Sequence, residues 1–196
     1  DRLIPILEKK FAFEISSGKL ELVHGDILEF SIFNFQFSKQ SYKVVANIPY
    51  YITGVLIRKF LESDAQPSTM VLLIQKEVAR RIVAQDGKES ILSISVKSYG
   101  VPRYIDTVKA GAFSPPPKVD SAIIAIEHIS KKFFSDVSEE HFFSVLKKGF
   151  AHPRKLLSSN LGIQPSGLLA CGIAEKARPE NLSLENWRCL AETLNT

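Results

Sequence analysis

The sequence predicts an α/β fold with a small helical domain behind it. Three observations carry that expectation. β-rich runs alternate with helical ones from residue 1 to about 128. Two of those runs, "YKVVAN" and "TMVLLIQ", are almost unbroken apolar stretches, the pattern of strands buried on both faces of a parallel sheet. After Ile129 the β-branched runs stop and helical spacing takes over. The expected architecture is a three-layer α/β sandwich over residues 1–128, followed by an all-helical domain over 129–196.

Taken in order, "RLIPILEKKF" reads as helix, and "KLELVHGD" (Lys19–Asp26) as a strand ending in a turn. "YKVVAN" (Tyr42–Asn47) is the next strand. "TGVLIRKFLES" follows with helical spacing at Val55, Leu56, Phe60 and Leu61. "TMVLLIQ" (Thr69–Gln75) is a strand, and Gln75-Lys76-Glu77 starts the helix "KEVARRIVAQ" with an ion pair. The Ser-rich "ESILSISVKSYG" fits helix or strand by its pattern, with helix preferred. "YIDTVKAG" and "KVDSAIIAIEHI" form a hairpin-like pair around the proline-rich "FSPPPK" (Phe113–Lys118). "KKFFSD" reads as a linker. Asp136 and Glu139 then have capping-box spacing before a helix with Phe142, Phe143, Leu146 and Phe150 on one side. A last helix from about Ser183 aligns Leu184, Trp187, Leu190 and Leu194.

Composition narrows the class without naming a reaction. The 196 residues are 45% hydrophobic and 23% charged, an ordinary globular mixture. No apolar run approaches the roughly 20 residues that cross a membrane, and no basic-then-apolar leader is present. Cys171 and Cys189 match no metal spacing and read as small core residues in a reducing compartment. With four scattered histidines, no metal site is expected. The net charge of +4 is weak evidence for an acidic partner. Its distribution says more, because Lys147, Lys148, Arg154 and Lys155 fall within nine residues that hold no acid. The chain opens on Asp1-Arg2-Leu3, already inside a helical run, and is expected to be a piece of a longer protein.

The stretch "VVANIPYYIT" (Val44–Thr53) is chemically specific. In an open α/β sheet, ligands lie beyond the carboxyl ends of the strands. Asn47 falls at such an end, and Asp26 at the end of the strand expected before it. An Asn side chain offers an acceptor oxygen and two donors and stays neutral. Pro49 has no N–H, leaves its carbonyl free and fixes the corner, and Tyr50 adds a flat face. Together they make a socket for a planar group bearing an exocyclic amine, such as a nucleobase.

"NIPY" matches the pattern of methyltransferases that modify amino groups. With "LLIQKEVARRIVA" and "FSPPPKVDSAII" in this order and spacing, the chain resembles the ribosomal RNA adenine N6,N6-dimethyltransferase family, in its small-subunit housekeeping branch. The likeness extends through the tail "FFSVLKKGFAHPRKLLSSNL". It implies a Rossmann-like S-adenosylmethionine-dependent methyltransferase sheet, incomplete at the N-terminus, plus a small C-terminal all-helical domain. By the same resemblance, Asn47 and the Pro49 carbonyl hold the target amine, while Tyr50 and Phe113 stack on a flipped-out adenine. Asp26 and Ile27 meet the adenine of the cofactor, which Asn47 also touches. The tail cations Lys147, Lys148, Arg154 and Lys155 contact RNA phosphates. Where the family has an "RRK"-like run, this chain has "HPRK" with Pro153. The family's Gly-rich loop and ribose-binding acid are not in the sequence, so the chain by itself is expected to bind S-adenosylmethionine poorly.

The resemblance implies small-subunit ribosomal RNA as partner, a role in ribosome biogenesis, a cytoplasmic location and a monomer. Three rivals stand beside it. A large-subunit methyltransferase conferring macrolide resistance is disfavoured by the "PKVDS" ending and the long helical tail. A DNA adenine methyltransferase is disfavoured because nothing resembles a DNA-recognition domain. A ribosome-assembly factor without catalysis is favoured by the missing Gly loop and opposed by Asn47, Tyr50 and Phe113.

Overall fold

The computed structural model describes residues 2–30 and 41–194. The chain divides into two compact units, Asp1–Gln36 and Phe37–Thr196. In the first, α1 (Ile4–Lys10) starts with a proline in its first turn, where the missing N–H costs nothing, and α2 (Ala12–Ser16) follows after Phe11. The strand expected at Lys19–Asp26 is not formed: these residues are irregular, and Leu20 and Val23 stay 37% and 48% exposed. A strand is half of a hydrogen-bonded ladder, and the described residues of this unit supply no second strand. β-propensity alone cannot hold one. The unit instead closes on an Asx turn, in which the Leu28 N–H donates to Asp26 Oδ1 at 2.8 Å.

The second unit carries a four-stranded mixed sheet of β1 (Lys43–Asn47), β2 (Thr69–Gln75), β3 (Val101–Val108) and β4 (Ser121–Glu127), in the order β1-β2-β4-β3. β1 runs parallel to β2, with Asn47 opposite Leu73, and β4 runs antiparallel to both β2 and β3. Met70, Leu72, Ile74, Ile124 and Ile126 are fully buried and form the sheet's share of the core. The expectation that β1 is buried on both faces is corrected, since Val45 is 79% exposed. β1 pairs only with β2 among the described residues, which leaves Val45 on an open edge of the described sheet.

Helices follow the sheet largely as their spacing predicts. α3 (Thr53–Glu62) buries Leu56, Ile57, Phe60 and Leu61. The expected Val55 lies 58% exposed instead, so the buried stripe sits slightly around the helix from its predicted place. α4 (Lys76–Val83) has Gln75 as its N-cap residue. The ambiguous Ser-rich segment is α5 (Ile91–Lys97). Its cap settles it: Ser90 Oγ accepts the Ser93 N–H at 3.1 Å, while the Ser90 N–H donates to Ser93 Oγ at 2.7 Å.

The C-terminal helices are α6 (Glu139–Gly149), α7 (Leu157–Leu161) and α8 (Leu184–Thr193). Phe142, Leu146, Leu157, Trp187 and Leu190 form their common core, which Ile94 of α5 joins. Ser138, not Asp136, caps α6, accepting the His141 N–H at 3.4 Å. The Asp136 carboxylate instead meets Arg188 at 2.6 Å. The "KKFFSD" segment is not a loose linker. Phe133 and Phe134 set their rings edge-on to Phe142, with centroids 5.0 and 5.7 Å apart, and so bury the start of the helical part. The expectation of two free thiols is also corrected, because Cys171 and Cys189 form a disulfide with Cα atoms 5.6 Å apart. Eighteen residues of separation hide a spatial neighbourhood that the fold creates.

Tyr99, 3% exposed, donates its hydroxyl to the Glu139 carboxylate. Burial, then the bond to Glu139 and its negative charge, push the phenol well above its ordinary value of 10.0. The folded state therefore holds this proton more tightly than the unfolded chain does. The resulting stability is complete below pH 10.0 and is lost as pH rises beyond it toward the folded value. Urea midpoints followed from pH 8 to 11 (a range of about 3 units) are expected to fall more steeply for the native chain than for Tyr99→Phe.

Candidate functional site

The corner after β1 is built by three consecutive constraints. The Ile48 N–H donates to the Leu73 carbonyl at 3.3 Å, which extends the pairing with β2 by one residue, and the Ile48 side chain is buried at 3% exposure. Pro49, at φ −54° and ψ 129°, then turns the chain out of the sheet. Its carbonyl accepts the Ile52 N–H at 3.1 Å, closing the 3-10 turn Tyr50–Ile52 that feeds α3. A carbonyl has two lone pairs, so this bond leaves acceptor capacity at Pro49. Asn47 stands exposed at the strand's carboxyl end, its amide without a hydrogen bond among the described residues. Tyr50 is half-buried, and its hydroxyl lies 2.7 Å from Ser121 Oγ. The neighbouring Tyr51, which carried no assigned role, is 87% exposed.

Phe113 lies on the loop of residues 109–120 that joins β3 to β4. A 3-10 turn, Ala110–Ala112, precedes it, and the Phe113 N–H donates to the Ala110 carbonyl at 3.2 Å. Asp120 closes the loop. Its carboxylate accepts the Ala110 N–H at 3.1 Å and the Lys109 ammonium at 3.1 Å, and Lys76 approaches to 3.6 Å. Its carbonyl accepts the Lys76 N–H at 3.1 Å. The Ala110 N–H first, and then the Lys109 ammonium, hold the Asp120 carboxyl below its ordinary value. The ion pair expected at Gln75-Lys76-Glu77 is thus made by Lys76 to Asp120. Lys118 is exposed.

Asn47, Pro49, Tyr50 and the loop of Phe113 belong to one end of the sheet. The link is that Ser121, at the start of β4, is opposite Gln75 at the end of β2 and bonded to Tyr50. Sequence reasoning quoted Asp120 and Ser121 inside a motif but gave neither a role. Nothing in a single sequence distinguishes a loop-closing carboxylate from a surface one. Asp26 and Ile27 belong to the other unit, where both are exposed, Ile27 by 38%. One Asp26 oxygen serves the Leu28 N–H.

Lys147 and Lys148 end α6, and Arg154 and Lys155 lie in the turn beyond it. All four are exposed, and none forms an ion pair among the described residues. Asn160, which sequence reasoning passed over, ties this turn down: its side-chain NH₂ donates to the carbonyls of Gly149 at 2.6 Å and His152 at 3.0 Å. Among the described residues no cluster of His, Cys, Asp or Glu is placed to hold a metal. No helix among them is long and apolar enough to cross a membrane.

The mixed sheet with its flanking helices has the Rossmann-like fold of two solved structures. The structure resembles a 23S rRNA methyltransferase, ErmE, with a TM-score of 0.78 and 22% identity over 100% of this chain and 79% of that one. It matches a dimethyladenosine transferase from Plasmodium falciparum equally well, with a TM-score of 0.78 and 24% identity over 96% of this chain and 77% of the other. The family model for ribosomal RNA adenine dimethylase matches residues 1–196. A ribosomal RNA small subunit methyltransferase A from Dehalococcoides mccartyi is 40% identical over 100% of this chain and 69% of its own length. The protein of that name from Fusobacterium nucleatum is 36% identical over 92% of this chain and 70% of its own. The chain belongs to the ribosomal RNA adenine dimethylase family.

Proposed function

We propose that this protein transfers two methyl groups from S-adenosylmethionine to N6 of adenine in small-subunit ribosomal RNA. The observation that carries the reading is the exposed, unengaged Asn47 amide at the carboxyl end of β1, beside the Pro49 carbonyl and Tyr50. An aminated planar base fits these groups. The Asn47 oxygen and the Pro49 carbonyl accept its two amino hydrogens, which directs the nitrogen lone pair out of conjugation with the ring. Tyr50 and Phe113 supply flat faces for stacking on an adenine taken out of its helix. No strong base is needed, because the amine becomes acidic once methylated.

The donor set also fits the cofactor chemically: the exposed Asp26 carboxylate suits the amine of its adenine, and the exposed Ile27 suits the ring. When bound, S-adenosylmethionine supplies the electrophilic methyl group. In this reading the protein is a cytoplasmic monomer whose residues 1–128 form the methyltransferase domain and whose residues 129–196 bind RNA. The names of the relatives support the small-subunit substrate over the large-subunit one.

The deciding experiment measures labelled methyl transfer to unmethylated small subunits, by this chain and by one extended upstream through its coding sequence. Dimethyladenosine formed by the extended chain bears the reading out. Subunit binding without transfer from either chain leaves an assembly factor in its place. The RNA contribution of Lys147, Lys148, Arg154 and Lys155 is tested separately. Replacing all four with glutamine is expected to reduce the slope of log affinity against log salt by about 3, as loss of four phosphate contacts requires.

A further inference from the structure

Two adjacent residues at the start of β4 bear on both aromatic groups of the proposed site, Ser121 directly and Asp120 through the loop backbone. Ser121, 1% exposed, meets the Tyr50 hydroxyl at 2.7 Å. Asp120 holds the turn that leads into Phe113, through the Ala110 N–H and the Lys109 ammonium, both at 3.1 Å. The two residues are fixed relative to each other by one peptide bond. They are fixed relative to the sheet by the Lys76 N–H on the Asp120 carbonyl and by the pairing of Ser121 with Gln75 and Val108. The aromatic corner after β1 and the loop after β3 are separated by about a third of the sequence, yet both are referred to the same point of the sheet.

We propose that Asp120 and Ser121 are positioning residues that set the placement of Tyr50 and Phe113, and so set how firmly the target adenine is held for methyl transfer. The inference rests on the reading that Tyr50 and Phe113 stack on that base. Stacking area alone does not need the Tyr50 hydroxyl, because a phenylalanine ring presents the same face. The hydroxyl matters only by its bond to Ser121. The Asp120 carboxylate touches no aromatic ring; it restrains the backbone at Ala110, three residues before Phe113 and joined to it by one hydrogen bond. A base held loosely leaves its amine less often in line with the methyl group. The loss therefore falls on kcat more than on the KM for RNA.

The test is a double-mutant cycle in the upstream-extended protein on unmethylated small subunits. Tyr50→Phe and Ser121→Ala are each expected to lower kcat about tenfold with KM within about twofold, and the double variant to lower it no further than either alone. Ser121→Thr, which keeps a hydroxyl, recovers kcat. Asp120→Ala lowers kcat comparably, and Asp120→Asn, which keeps an oxygen for the Ala110 N–H, recovers part of it. Losses that multiply in the double variant overturn the pairing of Tyr50 with Ser121. A fall in unfolding midpoint with unchanged kcat per folded molecule reduces both residues to structural ones. An unmutated protein that transfers no methyl group overturns the functional reading itself, a result the cycle does not imitate.

Discussion

Asn47→Ala in the upstream-extended protein is expected to lower the rate of methyl transfer by about 10²–10³-fold, the loss found when a single preorganised polar group is taken from a reacting centre. Three features put the effect in the chemical step. The Asn47 side chain is exposed at the end of β1 and engages no partner among the described residues, so its removal opens no cavity and orphans no donor. Its backbone pairing opposite Leu73 is kept by alanine. The stability change is accordingly expected within about 0.5 kcal/mol, the usual range for surface substitutions. RNA affinity is also expected to be retained, because phosphate contacts dominate affinity and the cations proposed to make them lie on α6 and in the turn beyond it. Single-turnover transfer measured beside urea unfolding separates the two quantities. A variant that unfolds earlier and transfers methyl groups at the normal rate would place Asn47 among turn residues.

Trp187→Ala is the substitution expected to cost most stability, about 3–5 kcal/mol. That is a large part of the 5–15 kcal/mol (roughly) that holds a domain folded. Trp187 is fully buried and stacks on Phe150, centroids 5.3 Å apart and planes inclined by 23°. Its six-membered ring covers Gly149 so closely that a Cβ there would lie 2.4 Å from Cη2. The glycine is the shape of the indole seen from the facing helix. Two considerations bear on the magnitude. The cavity is enclosed by α6, α7 and α8, which favours the upper end. The indole N–H, however, is buried without a partner among the described residues, and its removal returns part of the loss. A value near the lower end follows. The urea midpoint of the protein, with Trp187→Phe as the milder comparison, measures it.

Legibility in the sequence followed how local the deciding interaction was. β2 could be read almost to the residue because it is an inner strand paired with both β1 and β4, and its Thr69–Gln75 bounds agree with the reading; only one of its faces is fully buried. The Asn47–Pro49 corner was legible because proline acts on its own backbone. The Lys19–Asp26 strand failed for the opposite reason: its state depends on a partner strand that local propensity does not report. Asp136 was mistaken for a cap because the spacing rule finds a carboxylate but cannot see that Arg188, 52 positions on, claims it. The same holds for Cys171 with Cys189, and for Ser121 with Tyr50, 71 positions apart. Chemistry held in one short stretch was readable; chemistry assembled across the chain was not.

The Asn160 amide, bonded to both Gly149 and His152, bears on the kinetics of recognition. A basic segment that wanders must be immobilised when it meets a polyanion, and the lost freedom is subtracted from the attraction. Here the turn is already fastened to α7 by the Asn160 side chain. Arg154 and Lys155 thus follow a backbone held at Gly149 and His152, with the Lys155 N–H on the His152 carbonyl at 2.9 Å, which reduces the ordering left for binding. In the proposed RNA-binding role, the encounter would be governed by charge and diffusion more than by a search of loop conformations.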